Sequence, residues 1–170
     1  MKLSLEDDLW WCAELTLPSW AGYQSRFGPY TSVDKAAPSD GKAKLVFAPD
    51  GRGAAPLSAQ ELSLVDWFEV NEPNVSAAVK AVILGWDDPY AAEYITDEDM
   101  LKRNFGLYSV NIHQLVSGGL PYIGFEFGCA WEEEHGPGVM MHGTRLVAIG
   151  DADTALHLWV AQNDAEARSV

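Results

Sequence analysis

From Ile123 to Trp131 the odd positions are apolar (Ile123, Phe125, Phe127, Cys129 and Trp131), while the even ones are Gly124, Glu126, Gly128 and Ala130. A period of two is that of a β-strand with one buried face. Glu132-Glu133-Glu134-His135 and Gly136-Pro137-Gly138 interrupt the alternation, Val139 to His142 resumes it, and Gly143-Thr144 turns the chain into Arg145 to Ile149. Upstream, Tyr108, Val110, Ile112 and Val116 alternate with Ser109, Asn111 and His113, and Ser117-Gly118-Gly119 turns that strand back to Leu120. These turns predict a four-strand meander with an acidic loop at one end.

Toward the N-terminus, Trp11, Ala13, Leu15 and Leu17 alternate with Trp10, Cys12, Glu14 and Thr16 in a strand stopped by Pro18, and Leu45-Val46-Phe47 centres a second strand from Lys42 to Ala48. Between them, Ser19 to Tyr30 sets aromatic residues among turn formers, as in a short hairpin or an ordered loop. Ser58-Ala59-Gln60-Glu61 has the form of a capping box, so a helix starts there, with Leu62, Val65 and Phe68 at helical spacing. Asn71-Glu72-Pro73-Asn74 reads as the end of that helix and the start of another, whose stripe is Val75, Ala78, Val79, Val82, Ile83 and Trp86. The pair makes an αα-hairpin, closed by Gly85 and Asp87-Asp88-Pro89. Thr96-Asp97-Glu98-Asp99 is a helix start or an acidic turn. Gly150 to Thr154 looks like a helix cap with Leu156, Trp159 and Val160 as the buried stripe; a strand from Ala155 to Val160 competes, and 163–170 should fray. The expected architecture is α+β, one domain over 1–170. Its antiparallel sheet, built from the N-terminal strands and the C-terminal meander, is covered on one face by the αα-hairpin.

Composition narrows the class. Seven Trp, six Tyr and six Phe in 170 residues, 48% of them hydrophobic, require a collapsed core. The residues from Met1 to Asp8 hold Glu6, Asp7 and Asp8 and no apolar run of signal-peptide length, and no stretch reaches the length of a spanning helix, so a cytoplasmic protein is expected. Cys12 and Cys129 both fall in apolar strand patterns, where reduced buried thiols are commoner than a bridge. The net charge of −14 is concentrated late in the chain: residues 1–59 carry seven acids against six bases, while 60–170 carry eighteen against five. Such a field repels phosphate backbones and anionic membranes and attracts a basic protein or a cation, although an acidic surface also serves solubility alone.

Candidate chemistry is sparse. Cys129, His135 and His142 could ligate zinc, but they fall short of four ligands and of the paired spacing that structural sites use, so no metal and no cofactor is expected. On the polar side of the meander, Asn111, His113, Tyr122 and Glu126, with Ser109, would place an imidazole and a carboxylate across neighbouring strands, where they could do acid-base work. The simpler reading is a solvent-facing sheet surface. No nucleophile elbow, phosphate loop or dinucleotide fingerprint is present. The run Glu132, Glu133, Glu134 and His135 is either an acidic knob that meets a partner or a hairpin loop whose carboxylates cap backbone amides.

The stretch from Tyr122 to Gly136, with Arg145 and the run from Ile149 to Ala155 after it, resembles a bacterial domain family of unknown function with a Cys-x-Trp-(Asp/Glu)-Glu-Glu-His-Gly signature. Glu132, where aspartate is common, and Pro137, where an aliphatic residue is common, depart from it. The resemblance implies a small stand-alone cytoplasmic protein, with similar domains accompanying polymorphic-toxin and other interaction loci. It brings no activity, so no catalytic residue carries over. Two expectations follow. The first is a non-enzymatic protein-binding module of immunity or adaptor type that meets a basic protein partner through Glu132, Glu133, Glu134 and His135. The alternative is a small hydrolase or metal-dependent enzyme using Glu126, His113, Glu133 and His135. Oligomeric state is not legible.

Overall fold

In the computed structural model, which describes residues 2–25, 37–132 and 136–169, the alternating stretches form one seven-stranded sheet among the described residues. Its strands are β1 (Ser4–Glu6), β2 (Trp10–Thr16), β3 (Lys42–Phe47), β4 (Phe105–Ser117), β5 (Leu120–Cys129), β6 (Pro137–His142) and β7 (Arg145–Asp151). Each lies beside its neighbours in sequence, and every pairing is antiparallel except β3 with β4. A parallel pair cannot be closed by a hairpin. The helical segment between Phe47 and Phe105 supplies the crossover, so the helices sit in the middle of the chain and cover the sheet in an α+β fold. The aromatic residues Phe27 and Tyr30 of the expected early hairpin lie outside the described residues.

That crossover corrects one expectation: the αα-hairpin is a single helix, α1 (Ala59–Leu84), with Pro73 inside it. The capping box at its start forms as expected, Ser58 Oγ accepting from the Glu61 amide at 3.2 Å and Glu61 Oε2 from the Ser58 amide at 2.7 Å. Proline lacks the amide that the preceding turn would use, a loss of roughly 3 kcal/mol in a helix interior. The buried stripe, however, runs through it without a change of phase: Val65, Phe68, Glu72, Val75, Ser76, Val79 and Ile83. Breaking the helix would give up that continuous apolar burial, so packing overrides the local signal. Glu72 is tolerated in the stripe because Ser76 donates to its Oε1 at 2.7 Å and Ser19 to its Oε2 at 3.3 Å, while Trp20 Nε1 donates to Ser76 Oγ at 2.8 Å.

Helix α1 covers the face that carries Leu45, Phe47, Val110, Ile112, Ile123, Phe125 and Val139, all buried. Two one- to two-turn helices, α2 (Ala91–Tyr94) and α3 (Glu98–Asn104), lead from it into β4, and Asp97 caps the second, accepting from the Met100 amide at 2.9 Å. The opposite face is covered too, by α4 (Asp153–Leu156) and α5 (Leu158–Ala167). This settles the last segment as helix and extends order to Ala167, past the expected fraying point. It also corrects the stripe: the chain breaks at His157, whose extended backbone (φ −80°, ψ 120°) turns Ala155, Val160 and Ala161 inward and leaves Trp159 56% exposed. Asp50, far away in sequence, caps the restart by accepting from the Leu158 amide at 3.1 Å.

Two glycines let α4 sit directly on the sheet. A Cβ on Gly124 would stand 1.9 Å from the Ala155 carbonyl oxygen, and one on Gly138 would stand 2.9 Å from the Ala155 amide nitrogen. Replacing Gly124 with alanine should therefore lift α4 and cost about 1–3 kcal/mol or more. The apolar face offers the complementary case: Phe127 is 2% exposed and packs against Trp20 and Phe105, so Phe127→Ala should cost about 3–5 kcal/mol. Urea unfolding of each variant measures both, and an unchanged midpoint for Gly124→Ala would mean that α4 does not rest on the β5 backbone.

Candidate functional site

The polar face of β4 and β5 is buried, not solvent-facing. Ser109 is 3% exposed, Asn111 1% and His113 0%, because α4 and α5 lie over them. Ser109 sits opposite Glu126, and Asn111 opposite Gly124. The side chains bond accordingly: Asn111 Nδ2 donates to Ser109 Oγ at 2.9 Å, and Ser109 Oγ donates to Glu126 Oε2 at 2.8 Å. His113 does not join them; its Nε2 donates to the Ala155 carbonyl at 3.0 Å, the same oxygen that approaches Gly124. Its Nδ1 is buried without a partner.

Burial governs the protonation of both titratable groups. Desolvation holds the His113 imidazole below its ordinary pKa, outweighing its bond to Ala155 and the charge of Asp50, so it stays neutral. Desolvation likewise raises the Glu126 carboxyl, aided by Asp153 and opposed by the Ser109 hydroxyl. A serine hydrogen-bonded to a carboxylate resembles part of a hydrolytic set, but the imidazole is spent on a backbone carbonyl and the floor above it is a helix. Tyr122 belongs to a different arrangement. Its hydroxyl donates to Asp164 Oδ2 at 2.8 Å and its ring stacks on His142 at 4.4 Å, while Arg145 pairs with Asp164 and draws its carboxyl below the usual range. That set ties α5 to β5 and β7.

Cys129 and His142, two of the residues weighed as zinc ligands, lie apart. Cys129 ends β5 on the face beneath α1, donating weakly to the Glu132 carbonyl, whereas His142 pairs in register with Tyr122 on the other face. Seven residues of strand separate the two positions, about 23 Å. Among the described residues no group of three or more His, Cys, Asp or Glu is placed to hold a metal ion. His135, like Glu133 and Glu134, lies outside those residues.

Glu132, the one described member of the acidic run, borders a cavity of about 540 Å³ whose other walls are Trp86, Asp88, Tyr90, Trp131, Gly136, Pro137, Gly150 and Asp151. Three segments meet there. Gly85 ends α1 and delivers Trp86; Asp88 Oδ1 then accepts from the amides of Tyr90 and Ala91 at 2.9 and 2.8 Å, which fixes the turn. Trp131 is stacked on Tyr94, with ring centroids 5.3 Å apart, and leans on Phe105 at 5.4 Å. From the far side, Pro137 and Gly138 pair with Asp151 and Gly150, and Gly136 runs so close to β5 that a Cβ there would overlap the Phe127 carbonyl. Sequence reasoning placed Glu132 at a binding surface but missed Trp86, Asp88, Tyr90 and Asp151, which come from distant segments. The only trace of them in the sequence is an aromatic and acidic turn, Trp86 to Tyr90, just past the end of a helix.

The family model of DUF6985, a domain of unknown function, matches residues 41–156, and the chain belongs to this family. A search of curated proteins found no match, and neither did a search of solved structures. The matched span contains the buried polar face and every residue that lines the cavity.

The buried carboxyl sets a test. Because Glu126 is raised in the folded protein, its contribution to stability is complete below the unfolded carboxylate pKa, near 4.3, and is lost as pH rises through the folded value. Glu126→Gln keeps an acceptor for Ser109 and removes the charge. It should match or exceed the parent in stability at pH 7, by up to about 1 kcal/mol, and lose that advantage at pH 4. Urea midpoints at the two pH values measure it; a variant less stable at pH 7 than at pH 4, relative to the parent, would mean that the carboxylate is stabilised in place.

Proposed function

We propose that this protein is a non-enzymatic protein-binding module, of adaptor or immunity type, whose acidic surface meets a basic protein partner. The observation that carries the reading is a division between the two polar regions. Ser109, Asn111, His113 and Glu126, the groups suited to acid-base work, are bonded to one another or to backbone beneath α4, whereas the aromatic and acidic cavity at Trp131 and Glu132 opens outward. The net charge of −14 supports an electropositive partner over nucleic acid or an anionic membrane. Among the described residues no helix is long and apolar enough to cross a membrane. Against the alternative, a small hydrolase or metal-dependent enzyme using Glu126, His113, Glu133 and His135, stands the burial of His113, which is sealed at 0% exposure.

Charged rims act chiefly on encounter rate. With a partner captured from extracts of the source cell, association should slow as salt rises over the range in which the screening length falls from about 10 Å to about 3 Å. Replacing Glu132, Glu133 and Glu134 together with Gln should slow association and flatten that salt dependence while moving the melting midpoint little. Binding kinetics on an immobilised partner, with melts alongside, measure both. A variant that unfolds would show the run to be structural, and association indifferent to salt would remove the electrostatic basis of the reading.

A further inference from the structure

We infer that the cavity is a receptor for one arginine side chain of the partner protein, an assignment that rests on the protein-binding reading above. The nine described residues that line it include three aromatic rings, Trp86, Tyr90 and Trp131, and three acids, Asp88, Glu132 and Asp151, with no Lys or Arg among those nine. Aromatic faces carry negative quadrupole density and attract cations that lie over them. Carboxylates on the same rim add charge-assisted acceptors. An apolar side chain would draw the Asp88 and Asp151 carboxylates out of water with nothing in return, and an anion would be repelled.

Between the two basic side chains, the walls select the flat one. A guanidinium is planar and weakly hydrated, so it can stack on an indole and still present an edge of donors to a carboxylate; an ammonium is compact and strongly hydrated, and gains less from a ring. The site is also set in advance. Trp131 is fixed by its contacts with Tyr94 and Phe105, and Asp88 is aimed by the amides of Tyr90 and Ala91. Tyr90 is 73% exposed, so its ring is open to a bound group. About 540 Å³ exceeds the volume of one side chain, which leaves room for the backbone on either side of the arginine and suits a loop or extended segment.

The probe is N-acetyl-arginine amide, titrated into the isotope-labelled protein with the lysine and leucine analogues as controls, and read at the indole N–H signals. Trp86→Phe and Trp131→Phe assign those signals among the seven tryptophans. Arginine should shift both signals saturably in the millimolar range, lysine should bind at least threefold more weakly, and leucine should leave them unmoved. Asp88→Asn with Asp151→Asn keeps the side-chain oxygens that accept from Tyr90, Ala91 and Thr154 and removes two charges, so arginine affinity should fall at least fivefold with the other amide signals in place. Equal binding of lysine, tighter binding of leucine, or no saturable shift overturns the assignment. The same double variant separates this inference from the broader reading. If its capture of a salt-sensitive basic partner is undiminished, the partner docks elsewhere and the arginine receptor is wrong while the binding module stands. If arginine fills the cavity of a protein whose associations are all indifferent to salt, the electrostatic module is wrong and the cavity stands.

Discussion

The close approach of α4 to the sheet is the constraint from which most of the remaining arrangement follows. With hydrogen in place of a side chain at Gly124 and Gly138, the helix backbone lies against the strands, and its carbonyl groups reach residues that would otherwise face water. Donors so enclosed need acceptors, since an unmet donor costs about 1–3 kcal/mol. Hence His113 donates to Ala155, and Asn111, Ser109 and Glu126 form a chain of their own. The approach also brings α5 to where Asp50 can cap it and where Asp164 can collect Tyr122 and Arg145. His113, an imidazole that in isolation suggests catalysis, is bonded here to the backbone of α4.

The two faces of the sheet divide the work. Beneath α1 the packing is apolar and continuous, strong enough to carry a helix through Pro73. Beneath α4 and α5 it is mixed, with small residues and bonded polar groups. Ser109, Asn111 and His113 are buried beneath those helices. The cavity forms instead at the end of the sheet, where the turn after α1, the end of β5 and the paired ends of β6 and β7 converge. Such junctions gather side chains from several segments without asking any one strand to give up its core-facing residues, a common place for recognition to develop. That the family match spans 41–156 places α1, the meander, α4 and the cavity within the shared domain, with β1, β2 and α5 outside it.

Much of the fold was legible in the sequence because it is written in local periodicity. The alternation from Ile123 to Trp131, the turns at Gly118-Gly119 and Gly143-Thr144, and the capping box at Ser58 each depend on neighbours a few residues away, and all appear as strands, turns and a helix start. The parallel pairing of β3 with β4 was not legible, since periodicity says nothing of which edges meet. Pro73 was misread for a related reason: its local cost is visible in the chain, while the stripe it sits beside gains its value only against a sheet.

For the site, the sequence by itself determined the chemical inventory: an acidic chain without a catalytic signature, a polar row on β4, and an acidic run after β5. What only the tertiary structure decided was access. Ser109, Asn111 and His113 read as surface because polar residues on one side of an antiparallel strand ordinarily face water; they are buried because two glycines admit a helix whose docking is specified by backbone contact, with no side-chain pattern to announce it. Trp86, Asp88, Tyr90 and Asp151 read as ordinary loop and strand-end residues. They become walls of one cavity because α1 is a single unbroken helix that carries its C-terminal turn to the end of the sheet, a distance set by packing along the whole helix and invisible in any window of sequence.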